Sequence, residues 1–222
     1  MAENRAPAPR MALATAAVVA VAIIVATGVA LAPRRAPVFH GTTYTDVAPA
    51  AHFSLVDQEG RRVSLDSYRG KPVLLFFGYT KCPDVCPTTL ARLTKAMKDA
   101  GGDAGDIQVL LITVDPANDT PDALRKYTSH FGPAVVGLTG DSTALAAARQ
   151  GYGAYVEPMA SAPAPPAVHN GHEGHGSAPA AGMVVHSSVV YGIDRRGNLQ
   201  VVIAADATPE QVRDDVRTLA GI

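Results

Sequence analysis

Residues Gly78-Tyr79-Thr80-Lys81-Cys82-Pro83-Asp84-Val85-Cys86-Pro87-Thr88-Thr89 contain both cysteines of the 222-residue chain. They lie between an apolar run, residues 72–77, and a segment with helical spacing, residues 88–100. A buried strand that ends in a short loop and feeds a helix presents that loop at the carboxyl edge of an α/β sheet, where ligand sites concentrate. Cys82 and Cys86 are four positions apart, so with the second in the first helical turn both sulfurs point to one side, within disulfide or metal-sharing distance. Helix-terminal amides favour thiolate over thiol. The local chemistry is then dithiol–disulfide exchange or capture of a soft metal, Cu(I) above all. A structural disulfide is the plain alternative, although so short a span constrains the unfolded chain little. A zinc knuckle usually draws on two separated pairs of ligands, and the chain has no second cysteine pair.

Outward from this loop the pattern is that of alternating strands and helices. Leu90, Leu93, Ala96 and Met97 mark one face of the helix after the cysteines. The near-continuous apolar run at residues 107–114 predicts a strand buried on both faces, which completes a βαβ unit. Asp119-Thr120-Pro121-Asp122 reads as a capped helix start, with Asp119 as a candidate cap; Leu124, Tyr127 and Phe131 space its apolar face, and residues 135–138 form the next strand. Asp141-Ser142 opens a further short helix. On the amino-terminal side, residues 53–56 and 62–65 flank the turn-forming Asp57-Gln58-Glu59-Gly60, a hairpin. Residues 157–182, rich in Pro, Ala and Gly, lack the side chains for a packed core and read as a solvent-exposed excursion. Residues 184–193 and 199–203 read as strands, and Thr208-Pro209-Glu210-Gln211 starts the last helix. The expected fold is α/β: a thioredoxin-like sheet flanked by helices, with an amino-terminal β-hairpin extension.

Residues 11–32 carry no charge and are long enough to cross a bilayer at about 1.5 Å per residue. The expected organisation is a short tail at 1–10, a transmembrane anchor or cleaved signal at 11–32, a linker at 33–52 and one domain at 53–222 with the Pro/Ala/His-rich insert at 157–182. Either reading of 11–32 exports the domain, so the expected location is the cell membrane, single-pass, with the soluble domain on the extracytoplasmic side. From residue 33 onward 17 Lys and Arg face 19 Asp and Glu, a balance that argues against a nucleic-acid partner.

Three separated motifs carry a resemblance to one family: Gly78 to Pro87 with its two cysteines, Val114-Asp115-Pro116-Ala117-Asn118-Asp119-Thr120-Pro121, and His186-Ser187 followed by Tyr191-Gly192-Ile193-Asp194-Arg195-Arg196-Gly197. Over roughly residues 50–220 the chain resembles the Sco/SenC family of copper-binding proteins that serve cytochrome c oxidase assembly. The resemblance implies one tight copper site, Cu(I), Cu(II) or both, held by Cys82, Cys86 and His186. It implies a metallochaperone rather than an enzyme, acting on the dinuclear copper centre of oxidase subunit II and on other copper or thiol-redox proteins. A membrane-anchored thiol–disulfide oxidoreductase that reduces the cysteines of that subunit is the alternative, with Cys82 and Cys86 as its redox pair. Two thiolates and an imidazole form a set suited to low-coordinate Cu(I). Asp115 and Asp119, after the second strand, are candidates to orient the ligands from behind. His169, His172 and His175 recur every three residues in the insert and form a candidate weak, accessory metal site. Two departures from the family pattern stand out: Val184-Val185 where an acidic residue commonly precedes the histidine, and the length of the insert.

Overall fold

The computed structural model describes residues 19–23, 37–43, 48–154, 156–158, 184–186 and 189–222, with 156–158 and 184–186 described by backbone alone. The chain divides into two units, Met1–Pro37 and Val38–Ile222. In the first, residues 19–23 are helical and exposed. Among the described residues no helix is long and apolar enough to cross a membrane. This finding corrects the expected transmembrane anchor, and with it the membrane as a partner and the single-pass cell-membrane location. Five helical residues rise about 7.5 Å, against a hydrocarbon core of about 30 Å. The longest described helix, Val85–Ala100, has 16 residues and carries Arg92, Lys95, Lys98 and Asp99. The remainder of 11–32 lies outside the described residues.

The second unit is an open mixed sheet with helices packed on it, the thioredoxin-like arrangement expected. Its strands are β1 (Thr42–Thr43), β2 (Ser54–Asp57), β3 (Arg62–Ser64), β4 (Val73–Gly78), β5 (Gln108–Thr113), β6 (Val135–Thr139), β9 (Val190–Ile193) and β10 (Leu199–Ile203), in the order β1-β10-β9-β4-β5-β6-β2-β3. β7 (Val156–Pro158) and β8 (Val184–His186) form a separate antiparallel ribbon. The helices are α1 (Val85–Ala100), α2 (Pro121–Thr128), α3 (Ser142–Gly151) and α4 (Pro209–Ala220).

β4 is central because every one of its residues is buried and both of its edges are bonded: parallel to β5, antiparallel to β9. β5 lies between β4 and β6, parallel to both, and its apolar run is buried from Val109 onward. A strand covered on both faces reads as a continuous hydrophobic run, which is why these two were legible without alternation. The hairpin β2–β3 joins the far edge, β2 pairing antiparallel with β6. Part of the stretch read as a linker enters the sheet: Thr42–Thr43 pair with β10, and the Ala50 N–H donates to the Gly197 carbonyl at 2.9 Å.

α1 buries Cys86, Thr89, Leu90, Leu93, Ala96, Met97 and Ala100, and it packs along α4. Leu90 and Leu93 are wholly buried, each contributing about 1.5–3 kcal/mol by removal from water. The helix begins at Val85, earlier than the expected Thr88, because a proline such as Pro87 is tolerated in the first turn, where its missing N–H has no intrahelical partner. α2 lies on β6 and is capped by Thr120, whose hydroxyl accepts from the Ala123 N–H at 3.3 Å. Asp119 is therefore not the cap. The run 184–193, read as one strand, is two: β8 pairs with β7, and β9 pairs with β4 and β10.

Candidate metal centre

β4 ends at Gly78, whose carbonyl accepts from the Val114 N–H at 2.9 Å, so the ends of β4 and β5 are held level where the cysteine loop departs. Gly78 must be glycine for steric reasons. A Cβ there would lie 2.8 Å from Phe76 Cε1, 3.0 Å from Cys86 Sγ and 3.0 Å from Leu111 Cδ1. The buried sulfur thus rests directly on the last residue of the central strand.

Cys82 is half-buried in the loop; Cys86, in the first turn of α1, is fully buried. They are not bridged to one another. The Cys86 N–H donates to Cys82 Sγ at 3.3 Å, so the sulfur satisfies one of the donors that every helix start leaves without an intrahelical partner. That contact, with the helix terminus behind it, favours negative charge on this sulfur. A hydrogen bond between the two side chains pushes the Cys86 thiol well above its ordinary pKa, and burial adds to the rise. Of the two sulfurs, Cys86 is thus the one whose proton is held more firmly.

Asp119 organises the loop from behind. It is wholly buried, accepts from the Thr80 N–H at 3.2 and 3.3 Å to its two oxygens, and accepts from the hydroxyls of Thr80 and Thr113 at 2.5 Å each. One carboxylate thus ties the cysteine loop, two residues before Cys82, to the end of β5. Asp115 acts further out: the Asn118 side-chain amide donates to it at 2.8 and 3.1 Å, and Lys81 Nζ donates to Asn118 Oδ1 at 2.5 Å. These contacts are exposed and contribute little next to the Asp119 cluster.

His186 closes β8, its backbone opposite Val156. β9 begins with Val190 opposite Phe76, at the end of β4 from which the cysteine loop leaves. The chain that precedes Val190 accordingly enters the sheet at the cysteine edge, and four residues of backbone span at most about 14 Å. The His186 side chain lies outside the described residues, as do His169, His172 and His175. Among the described residues no three His, Cys, Asp or Glu side chains converge to hold a metal. His52 and His130 are exposed, His52 lying 3.8 Å from Asp66 and His130 Nδ1 lying 3.1 Å from the Tyr127 carbonyl oxygen.

Sequence reasoning placed Tyr127 only in the packing face of α2. Burial raises its phenol pKa, with smaller contributions in the same direction from the charges of Cys86, Cys82 and Asp119. The available signal was a lone hydroxyl on the otherwise apolar Leu124, Tyr127, Phe131 stripe.

The SCO1/SenC family model matches residues 42–221. Protein SenC of Rhodobacter capsulatus is 32% identical over 209 residues, covering 92% of this chain and 87% of that protein. The structure of Bradyrhizobium japonicum ScoI with copper bound is 32% identical and superposes with a TM-score of 0.62 over 78% of this chain and 99% of that one. Yeast Sco1 with copper bound is 28% identical, with a TM-score of 0.60 over 76% of this chain and 86% of that chain.

Proposed function

The chain belongs to the SCO1/SenC family, and on that premise we propose that it is a copper chaperone that takes one copper on Cys82, Cys86 and His186 and delivers it during cytochrome c oxidase assembly, to the dinuclear centre of subunit II. The observation that carries the reading is the pair of sulfurs at one helix start at the carboxyl edge of the sheet, with the Cys86 N–H donating to Cys82 Sγ. Two soft sulfur donors side by side suit Cu(I). His186 completes a low-coordinate set, and such a set leaves an open side through which a recipient's thiolate can enter and draw the metal off by ligand exchange. Asp119 and, more weakly, Asp115 orient the loop that presents Cys82. The role is that of a carrier, with no substrate turned over.

A second reading rests on the unequal exposure of the two sulfurs. Half-buried Cys82 can attack a partner disulfide and release one partner thiolate; Cys86 then attacks Cys82 Sγ and releases the second, leaving the Cys82–Cys86 disulfide and a reduced partner. His186→Ala separates the two. Under delivery, Cu(I) affinity measured against a competing chelator falls by more than the 10- to 100-fold typical of groups behind the ligands, while reduction of an oxidised two-cysteine target is unchanged. Unchanged copper affinity removes His186 from the site, and unchanged oxidase maturation despite lost copper binding moves the function to the reductase.

A further inference from the structure

Resting on the delivery reading above, we infer that the edge around the cysteine loop is the docking surface of the copper recipient. Exposed Val85 stands at its centre, and an acidic rim selects a partner whose thiol pair lies in an apolar surface ringed by Lys and Arg. Val85 is the first residue of α1, directly before Cys86, and it is 40% exposed. Among the described residues between Val38 and Ile222 no other large apolar side chain is exposed. A single exposed apolar residue is ordinary on a protein surface; this one lies between the two cysteines.

Three loops meet at this edge. The cysteine loop leaves β4, residues 114–120 leave β5, and residues 204–208 leave β10, whose last residue Ile203 lies opposite Val190, as Phe76 does. Lys81 Nζ donates to Asn118 Oδ1 at 2.5 Å and ties the first loop to the second. Arg92, two turns along α1 on the face of Val85, donates through NH1 to the carbonyls of Ala205 and Ala207 at 2.7 and 3.0 Å and ties the helix to the third. Pro83, Pro116 and Ala205, one from each loop, are exposed. The edge is thus a braced surface with apolar groups at hand.

Its charges are unbalanced. Asp84, Asp115, Asp206 and Glu210 outnumber Lys81 and Arg92. Helix starts favour acidic residues on their own account, which explains Asp84 and Glu210 locally, but the topology brings both helix starts to one edge, and their field acts there together. Ligand exchange brings the recipient's thiolate to a metal held between Cys82 and Cys86, so Val85 is covered in any transfer complex. A second copy of this chain would set acid against acid, whereas a basic rim meets the edge with opposite charge.

The test loads the full chain with Cu(I), anaerobically, and follows transfer to the reduced, metal-free copper domain of oxidase subunit II. A small chromophoric chelator serves as a recipient that needs no docking. Val85→Thr keeps the shape and adds a hydroxyl, Val85→Lys sets a cation at the centre, and the pair Asp206→Asn with Glu210→Gln lightens the rim. All three are expected to hold Cu(I) as tightly as wild type and to yield it to the chelator at the wild-type rate. Transfer to the protein at limiting concentration should fall about threefold for V85T and further for V85K. For D206N/E210Q it should fall about tenfold at low ionic strength, the low end of electrostatic steering, and match wild type at high salt, where the rim is screened. Protein-directed transfer that V85K or salt leaves unchanged overturns the docking surface. Weakened copper affinity in the Val85 variants overturns it as well, by making Val85 part of the metal's surroundings. Wild-type chain that self-associates while V85K stays monomeric assigns the edge to a second copy and overturns the recipient. Copper that reaches the chelator and never the protein overturns the delivery reading itself, and this inference with it.

Discussion

Replacing Asp119 with Ala should loosen the fold and the site together, because one carboxylate serves both. The substitution removes the acceptor for three donors: the Thr80 N–H, the Thr80 hydroxyl and the Thr113 hydroxyl. Hydrogen bonds to a charged group contribute about 1.5–3 kcal/mol each. The two hydroxyls can rotate toward other acceptors, whereas the Thr80 N–H is fixed by the backbone and loses its partner outright. Removal of a buried charge offsets part of the loss, so we expect about 2–4 kcal/mol, read as a shift in the urea unfolding midpoint at unchanged m-value. Copper responds to two opposed effects. The Asp119 charge opposes ionisation of Cys86, so its loss favours the thiolate, but it is the smallest of the causes acting on that sulfur. Freeing the loop two residues before Cys82 has the larger consequence, and Cu(I) affinity should fall about 10- to 100-fold. Thr120→Ala is the control: it removes the cap of α2, costs about 1 kcal/mol and leaves copper affinity alone. A D119A protein within about 0.5 kcal/mol of wild type, the spread of an ordinary surface substitution, and with unchanged copper affinity would refute the claim that this carboxylate positions the site.

Gly78→Ala places a methyl against Phe76, Cys86 and Leu111 in a fully buried setting, so overpacking of about 1–3 kcal/mol and displacement of Cys86 Sγ should appear as a lowered melting temperature and weakened Cu(I) binding; copper affinity equal to wild type would show that the sulfur has room to give. Because Cys86 retains its proton through neutral pH, capture of Cu(I) by both thiolates must release it, and chelator competition should show affinity rising with pH by about tenfold per unit below the raised Cys86 pKa. A flat profile would mean that Cys86 binds as a thiol or not at all. The insert is the connection of the β7–β8 ribbon, which holds Pro158 opposite Val184. Replacing residues 160–181 by a short glycine-containing turn should therefore spare the tight copper equivalent and abolish only weaker binding by the histidine tract, as read by titration; loss of the tight equivalent in a folded protein would relocate the ligands.

The local signals in this chain were strong wherever one residue's chemistry had a single outlet. β4 and β5 are apolar on both faces, so their burial followed from composition. The helix starts followed from Thr120-Pro121, Asp141 and Thr208 with Gln211, whose side chains satisfy backbone donors next to them in sequence. The four-position spacing of the cysteines likewise placed both sulfurs at one helix start, where Cys82 Sγ accepts the Cys86 N–H. What sequence could not assign was any partner distant along the chain. Asp119 carries the same local signature whether it caps a helix or binds a loop 39 residues away, and only the level ends of β4 and β5 bring Thr80 within its reach. The run 184–193 is equally strand-like throughout. Its division between the β7–β8 ribbon and the main sheet depends on which backbone edges are open beside it, at Val156 for His186 and at Phe76 for Val190. Tyr127 is the extreme case: its ring has an ordinary place on a helix face, and only folding leaves its hydroxyl buried without a partner among the described residues. Periodicity and capping are short-range properties of the chain, so the sequence determined the elements and the cysteine pair; pairing edges, buried acceptors and shared electrostatics are properties of the assembled sheet, and only tertiary structure decided them.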